Sequence, residues 1–360
     1  MESFLLTTEG IAGARDHLTD SGMVVLYNFY REDWLVQKLA GMMRSALGAD
    51  PFVTAFGAWG KAAIMMGGPR LSSLNPAFDV PYTESPHTPL PQRGRFMPVV
   101  GYGRVAGDGQ QPSATDDWPF IYLQQPGLPV VYLAGLTTIA IIAAGLLSAA
   151  APREVLRRFN WHFFALGAAF MLLETHALVT FALLFGTTWL VNSLVFFAIL
   201  VSVLVAIFVN SRVRSLKVQP LYLSLFATLL LGYLLPLDTL LGIDSPFLRY
   251  AIASIVAFLP VFLANVVFSH SFRDTMEADI AFASNLLGAM AGGMLEYLSL
   301  VTGYRALILL IMACYLASVL LWRKGGVVPL SPSKALAALL TLVASPLVIL
   351  SLSKNLAGGG

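Results

Sequence analysis

The chain has 360 residues, of which 57% are hydrophobic and 12% are charged, and its formal net charge is +2. A soluble domain carries about 25% charged residues, so this composition indicates a membrane protein. The small net charge offers no electrostatic footprint for nucleic acid, and none is expected as a partner. The single cysteine, Cys314, excludes an internal disulfide, and the five histidines lack ligand spacing. We therefore predict no metal site.

The first 107 residues have the pattern of a small α/β domain. The predicted elements are a helix over 8–18, a strand over 23–30, a helix over 31–47, and strands over 62–66 and 99–105. The apolar run over 23–30 is continuous, which favours a strand covered on both faces, as in a parallel sheet. Residues 69–91 hold six prolines and are predicted to be loop. These elements are too few for a whole doubly wound domain, so we interpret residues 1–107 as an incomplete α/β (Rossmann-type) fragment whose first half is missing.

Residues 108–127 are predicted to link this fragment to a membrane part. Asp116, Asp117 and Trp118 lie in this linker and form a candidate site-edge motif, because two carboxylates beside an indole could line a pocket. The alternative is a simple turn whose geometry is fixed by Pro119.

Residues 128–352 are predicted to form a transmembrane helical bundle, followed by a tail over 353–360. A helix of about 20 apolar residues spans a bilayer, and the sequence contains about eight runs of this kind. The predicted spans are 128–150, 161–186, 189–210, 220–242, 248–268, 280–301, 305–322 and 335–352. The expected location is therefore a multi-pass position in a membrane, with the bacterial inner membrane as the prediction and the lipid bilayer as a partner.

Three polar residues inside these spans form a candidate intramembrane site. They are Glu174, Asn285 and Glu296. An ionisable group inside a membrane span is costly and suggests a functional site by default. Glu174 lies near the middle of its span. A role in transport or binding and a structural hydrogen bond to another helix both remain open for these residues.

A stripe of small residues accompanies this site. Ser284, Gly288 and Gly292 precede Glu296 at intervals of four residues, so all four share one helix face. Small residues at this spacing let two helices approach closely. We predict that these positions are helix-packing contacts and that Leu287 lies on the lipid-facing side.

Four stretches together resemble membrane-bound relatives of spermidine synthase, the polyamine aminopropyltransferases. They are LLTTEGIAGARDHLTDSGMVVLYNFYRE, TDDWPFIYL, LLETHALVTFALLFGTTWLVN and FRDTMEADIAFASNLLGAMAGGMLEYLSLVTGYRAL. The resemblance implies a Rossmann-type domain that binds decarboxylated S-adenosylmethionine, fused to a helical bundle. The family's glycine-rich cofactor turn, its ribose-binding acid and its catalytic aspartate precede the matching region. No catalytic residue is therefore assigned here, and no cofactor is expected in this chain alone.

The first hypothesis is that the chain is the C-terminal membrane part of a spermidine synthase-like protein. The bundle would then anchor or serve an aminopropyl-transfer domain, with the missing N-terminal part as its partner. The resemblance implies a transferase, whereas the chain by itself carries no catalytic motif. The alternatives are a transporter-like bundle for a cationic solute such as a polyamine, and a purely structural membrane anchor.

The distribution of lysine and arginine predicts the orientation of the bundle. Alternate links between the predicted spans carry ten such residues, against three on the opposite side. Positively charged links remain in the cytoplasm, so we expect the links that contain Val155 and Ser215 to face the cytoplasm. Single cysteines at these two positions, after replacement of Cys314, should resist an impermeant thiol reagent in intact cells. Labelling of both positions in intact cells would reverse the orientation.

Overall fold

The computed structural model describes residues 4–30, 32–56, 61–68, 71–74, 76–84, 99–150, 158–186, 188–213, 217–235, 243, 245–273 and 275–323. The chain divides into two compact units, Met1–Gly127 (unit 1) and Leu128–Gly360 (unit 2). The division coincides with the predicted start of the helical bundle.

Unit 1 is built around a five-stranded sheet with the order β1-β3-β2-β5-β4. Its elements are α1 (Thr8–Asp16), β1 (Val24–Tyr30), α2 (Asp33–Leu47), β2 (Phe52–Phe56), β3 (Lys61–Gly67), α3 (Leu71–Leu74), β4 (Thr83–Glu84) and β5 (Val99–Arg104). Each pair of neighbouring strands is antiparallel. The parallel arrangement expected from the apolar run over 23–30 is therefore wrong for the strands that the structure describes.

The physical reason lies in a strand that the sequence analysis did not predict. β2 ends at Phe56 and β3 begins at Lys61, and so short a connection can join only antiparallel neighbours, since parallel strands need a crossover of a dozen or more residues. The hairpin leaves β1 at the edge of the sheet, where it pairs with β3 alone among the described strands. Among the described strands β1 is thus an edge strand, and a Rossmann-type arrangement stays a prediction.

Helix α2 supplies most of the core of unit 1. Its apolar face buries Leu39, Met42 and Met43 completely, in contact with Met65 of β3. The helix ends at Leu47 and is capped by Gly48, whose φ of 77° lies in the left-handed region. Glycine occupies this conformation without the steric cost of a Cβ, which explains why the helix stops there.

The predicted linker over 108–127 is part of unit 1 rather than a free connection. Residues 113–123, here called the strap, pass over helices α1 and α2 without regular secondary structure. Ala114 and Ile121 of the strap are buried in the core, and the backbone N–H of Thr8 donates to the carbonyl oxygen of Ala114 over 2.9 Å. The strap therefore contributes to the fold of unit 1.

Helices are the regular secondary-structure elements among the described residues of unit 2. Its helices are α4 (Val130–Ala150), α5 (Trp161–Phe185), α6 (Trp189–Arg212), α7 (Val218–Leu234), α8 (Pro246–Arg273), α9 (Ala278–Glu296), α10 (Ser299–Thr302) and α11 (Arg305–Arg323). Six spans among the described residues are long and apolar enough to cross a membrane, with α9 and α10 counted together, whereas α7 has only 17 residues. A multi-pass membrane protein is thus indicated, while the total of about eight spans stays a prediction because 335–352 lies outside the described residues.

Helix α5 is the central element of the bundle. It packs against α9, α11, α8 and α6, and its buried side chains include Phe163, Leu166, Leu172 and Leu173. By contrast, α4 and α6 present many leucine, isoleucine and phenylalanine side chains to the outside. An apolar exterior around a buried central helix is the arrangement expected for a bundle surrounded by lipid.

Candidate functional site

A close helix contact in unit 2 lies along the stripe of small residues. Gly288 of α9 lies directly against the backbone of Phe164 in α5, and Gly167 of α5 lies against the backbone of Asn285. A methyl group added at Gly292 would lie only 2.6 Å from the carbonyl oxygen of Ala168. Backbone therefore meets backbone along this seam, which excludes even an alanine side chain without a shift of one helix.

The polar residues of α9 bind across the same seam. The Thr175 hydroxyl donates to Glu296 Oε2 over 3.1 Å. The Asn285 side-chain amide donates to the carbonyl oxygen of Phe163 over 3.3 Å. Ser284, which is buried, accepts a hydrogen bond from the backbone N–H of Asn160 over 3.1 Å. Ser284 is thus hydrogen-bonded to Asn160, the residue that caps α5. Asn285 and Glu296 are hydrogen-bonded to α5 itself.

Glu174 occupies a different position from Glu296. It lies half-buried on α5, and its carboxylate makes no hydrogen bond to the described residues. Its neighbour Thr175 is the residue that reaches Glu296, because adjacent positions on a helix point about 100° apart. Glu174 is consequently not part of the hydrogen-bonded seam.

The lipid-facing assignment of Leu287 is wrong. Leu287 is partly buried and packs with Leu147, Trp161 and Phe164 around Phe159. It points into this group because it lies one position before Gly288, at the flank of the seam. Leu286 is the exposed residue at this level of α9, with 54% of its surface accessible.

The Asp116–Trp118 motif fastens the strap to α1. Asp116 Oδ1 accepts a hydrogen bond of 2.6 Å from the Thr7 hydroxyl, and the backbone N–H of Asp116 donates to Glu9 Oε2 over 3.2 Å. Trp118 is buried, whereas Asp117 is exposed. The two carboxylates of the motif have different environments. Asp116 is hydrogen-bonded within unit 1, and Asp117 is exposed.

Lys38 is a buried charged residue that the sequence analysis missed. Only 3% of its surface is accessible. Its ammonium donates to the carbonyl oxygen of Leu123 over 2.8 Å and lies 4.6 Å from the centre of the Trp118 ring. Burial lowers the pKa of Lys38 from 10.5 to about 8. The sequence did indicate that Lys38 is buried, because position 38 falls on the apolar face of α2 between Leu35 and Leu39.

A buried tyrosine lies in the same unit. Burial raises the pKa of the Tyr30 phenol to about 12, and the neighbouring Tyr122 phenol adds to the effect. With respect to metals, the described residues contain no group of three or more histidine, cysteine, aspartate or glutamate side chains that could hold an ion.

Comparison with protein-family models gave no match. No curated protein and no solved structure matched the chain either. The contacts within each unit are therefore the structural basis for any statement about function.

The seam between α5 and α9 predicts a strong effect of a larger side chain. Gly292→Leu should destabilise the bundle in detergent by about 1–3 kcal/mol, the usual scale of an overpacked contact. Leu286→Ala is the matched control on the exposed side of the same helix and should cost much less. Thermal unfolding followed by helical circular dichroism measures both variants, and equal effects would contradict close packing at Gly292.

The buried Lys38 predicts a pH dependence of the stability of unit 1. Between its lowered pKa of about 8 and the ordinary value of 10.5, the unfolded chain keeps a proton that the folded chain has lost. Stability should therefore rise with pH in this window. Tyr30 acts in the opposite direction above pH 10, because its pKa rises from 10.0 to about 12, so the gain should be clearest between pH 8 and 10.

Urea titrations of the full chain in detergent, with proteolytic cleavage within the strap as readout, measure this slope. Lys38→Met should flatten it, whereas Lys217→Met, which removes an exposed lysine before α7, should leave it unchanged. A urea midpoint that is constant or falls between pH 8 and 10 in the unmodified chain would contradict the prediction.

Proposed function

We propose that this chain is the membrane part of a spermidine synthase-like protein of the bacterial inner membrane. In this proposal, the helical bundle anchors the protein, and unit 1 completes a transferase domain whose cofactor-binding half is not among residues 1–360. That complete domain would transfer an aminopropyl group from decarboxylated S-adenosylmethionine to an amine.

The open edge of β1 is the observation that carries the proposal. All seven residues of β1 pair with β3 on one side, and no described strand lies on the other. The strand is almost entirely apolar, yet Val25, Tyr27 and Phe29 are exposed, Tyr27 to 82%. An exposed apolar edge strand invites pairing, and soluble domains normally cover or charge it. A further α/β half against this edge would cover both the backbone groups and the side chains.

The stretches that carry the family resemblance also meet in space. In unit 1, the stretch that contains Thr7 and Glu9 is hydrogen-bonded to Asp116 of the TDDWPFIYL stretch. In unit 2, Thr175 and Glu296 join the two resembling stretches of the bundle. A shared pattern over residues that contact one another supports a shared fold more strongly than four isolated matches would.

The contacts of α9 favour an anchor over a transporter for cations. Ser284, Asn285 and Glu296 all direct their polar groups to α5 or its capping residue. Polar groups that bind a neighbouring helix stabilise the bundle, which is the role that an anchor requires.

Cofactor binding tests this proposal. Calorimetry on the purified chain should detect no binding of decarboxylated S-adenosylmethionine, because the residues that would hold it lie outside residues 1–360. A protein extended by the coding sequence immediately upstream of Met1 should bind it. Micromolar binding by the present chain, or an extended protein that folds and does not bind, would contradict the proposal.

The same extended protein tests the role of β1. Tyr27→Lys places a charge on the open edge strand and should abolish cofactor binding. Tyr102→Lys is the control, because Tyr102 is an exposed aromatic residue on β5. If Tyr27→Lys binds the cofactor as well as Tyr102→Lys and the unsubstituted extended protein do, the β1 edge is not where the two halves join.

A further inference from the structure

A buried polar cluster connects three helices of the bundle away from the seam. It consists of His162 of α5, Tyr222 of α7, and Tyr315 and Ser318 of α11, here called the His162 cluster. All four residues are buried, with His162 at 3% and Tyr315 at 1% of their surface accessible. None of them belongs to the candidate site predicted from the sequence.

The hydrogen bonds of the cluster determine the form of the imidazole. His162 Nδ1 lies 2.9 Å from the backbone carbonyl oxygen of Ser318 and 3.0 Å from the Ser318 hydroxyl oxygen. A carbonyl oxygen only accepts hydrogen bonds, and an unprotonated Nδ1 at this distance would set two lone pairs against each other, so we assign the proton to Nδ1, which donates to Ser318. In a neutral imidazole the other nitrogen, Nε2, is then an acceptor. The Tyr222 and Ser318 hydroxyls are also hydrogen-bonded to each other, over 2.9 Å.

Two atoms of the cluster have no partner among the described residues. They are His162 Nε2 and the Tyr315 hydroxyl, and both are buried. Tyr315 precedes Ser318 by three residues and therefore lies on the same face of α11. A buried polar atom without a hydrogen bond is costly, and such atoms in native structures usually bind an ordered water.

The charge and hydrogen-bonding groups of the four side chains restrict which ligand can bind there. An unprotonated Nε2 requires a hydrogen-bond donor, which a water or an alkylammonium group could supply. The four side chains carry no negative charge, so an ammonium ion would be buried without a counter-ion, at a high cost inside a membrane. One imidazole nitrogen is also too few ligands for a metal ion. An uncharged donor small enough to enter a packed helix junction fits these conditions.

We propose that the His162 cluster is an internal hydration site, in which a bound water donates to His162 Nε2 and the Tyr315 hydroxyl is hydrogen-bonded to water. The water extends the chain of hydrogen bonds from Tyr222 through Ser318 to His162. It thereby helps to attach α7, whose 17 residues are fewer than those of the spanning helices, to α5 and α11. This site is independent of the proposed transferase function.

Nitrogen NMR on the full chain, labelled with ¹⁵N-histidine and embedded in lipid nanodiscs, tests the proposal. The His162 signals are assigned as those that His162→Gln removes. Nδ1 should be protonated, and Nε2 should be unprotonated and receive polarisation from water protons. A protonated Nε2, or an Nε2 without transfer from water, would overturn the hydration site. Displacement of the water signal by added spermidine would overturn the choice of an uncharged ligand.

Stability measurements give a second, independent readout. Tyr222→Phe removes a hydroxyl with a visible partner and should lower the unfolding temperature. Tyr315→Phe should lower it as well if the Tyr315 hydroxyl is hydrogen-bonded to water. A rise in the unfolding temperature of Tyr315→Phe would mean that the hydroxyl is unpartnered in the folded protein, and would overturn this part of the proposal.

Discussion

The bundle depends on the direct contact between the backbones of α5 and α9. The two helices approach closely because three positions at their contact have no side chain: Gly167 of α5, and Gly288 and Gly292 of α9. In lipid, helices gain little from hydrophobic burial, so close van der Waals contact and interhelical hydrogen bonds must hold them. The glycines create the approach, and this approach brings Thr175 within hydrogen-bond distance of Glu296. The carboxylate is consequently a part of the helix interface.

In unit 1, the polar group that must be accommodated in the interior is the ammonium group of Lys38. A buried ammonium group is costly unless its protons are bonded and its charge is compensated. Lys38 meets this requirement only in part: its ammonium donates to the carbonyl oxygen of Leu123 and lies over the Trp118 ring, yet burial still lowers its pKa to about 8. The same contacts hold the strap, which Asp116 also fastens at Thr7. An irregular segment is thus kept in place by a few polar contacts rather than by a ladder of backbone hydrogen bonds, and its stability should follow the protonation of one lysine.

The quality of the sequence predictions followed the strength of the local signal. The long apolar runs that became α4, α5, α6 and α8 were evident, since nothing in a soluble protein requires such length. β1 and α2 were also found where expected. The strand β2 was missed because its five residues show no clear alternation of apolar and polar side chains. The direction of pairing was wrong because a continuous apolar run was taken as evidence of burial on both faces, whereas Tyr27 and Phe29 are exposed.

The sequence by itself determined the membrane character of the chain, the two-part organisation and the face of α9 that carries the small residues, because each depends on composition or on helical period alone. Only the tertiary structure decided which groups meet: Thr175 rather than Glu174 at Glu296, Lys38 under the strap, and His162 with Ser318. These pairs join residues far apart in the chain, 85 positions for Lys38 with Leu123 and 156 positions for His162 with Ser318. Local pattern carries no information on contacts of this range, since they arise from the packing of whole helices.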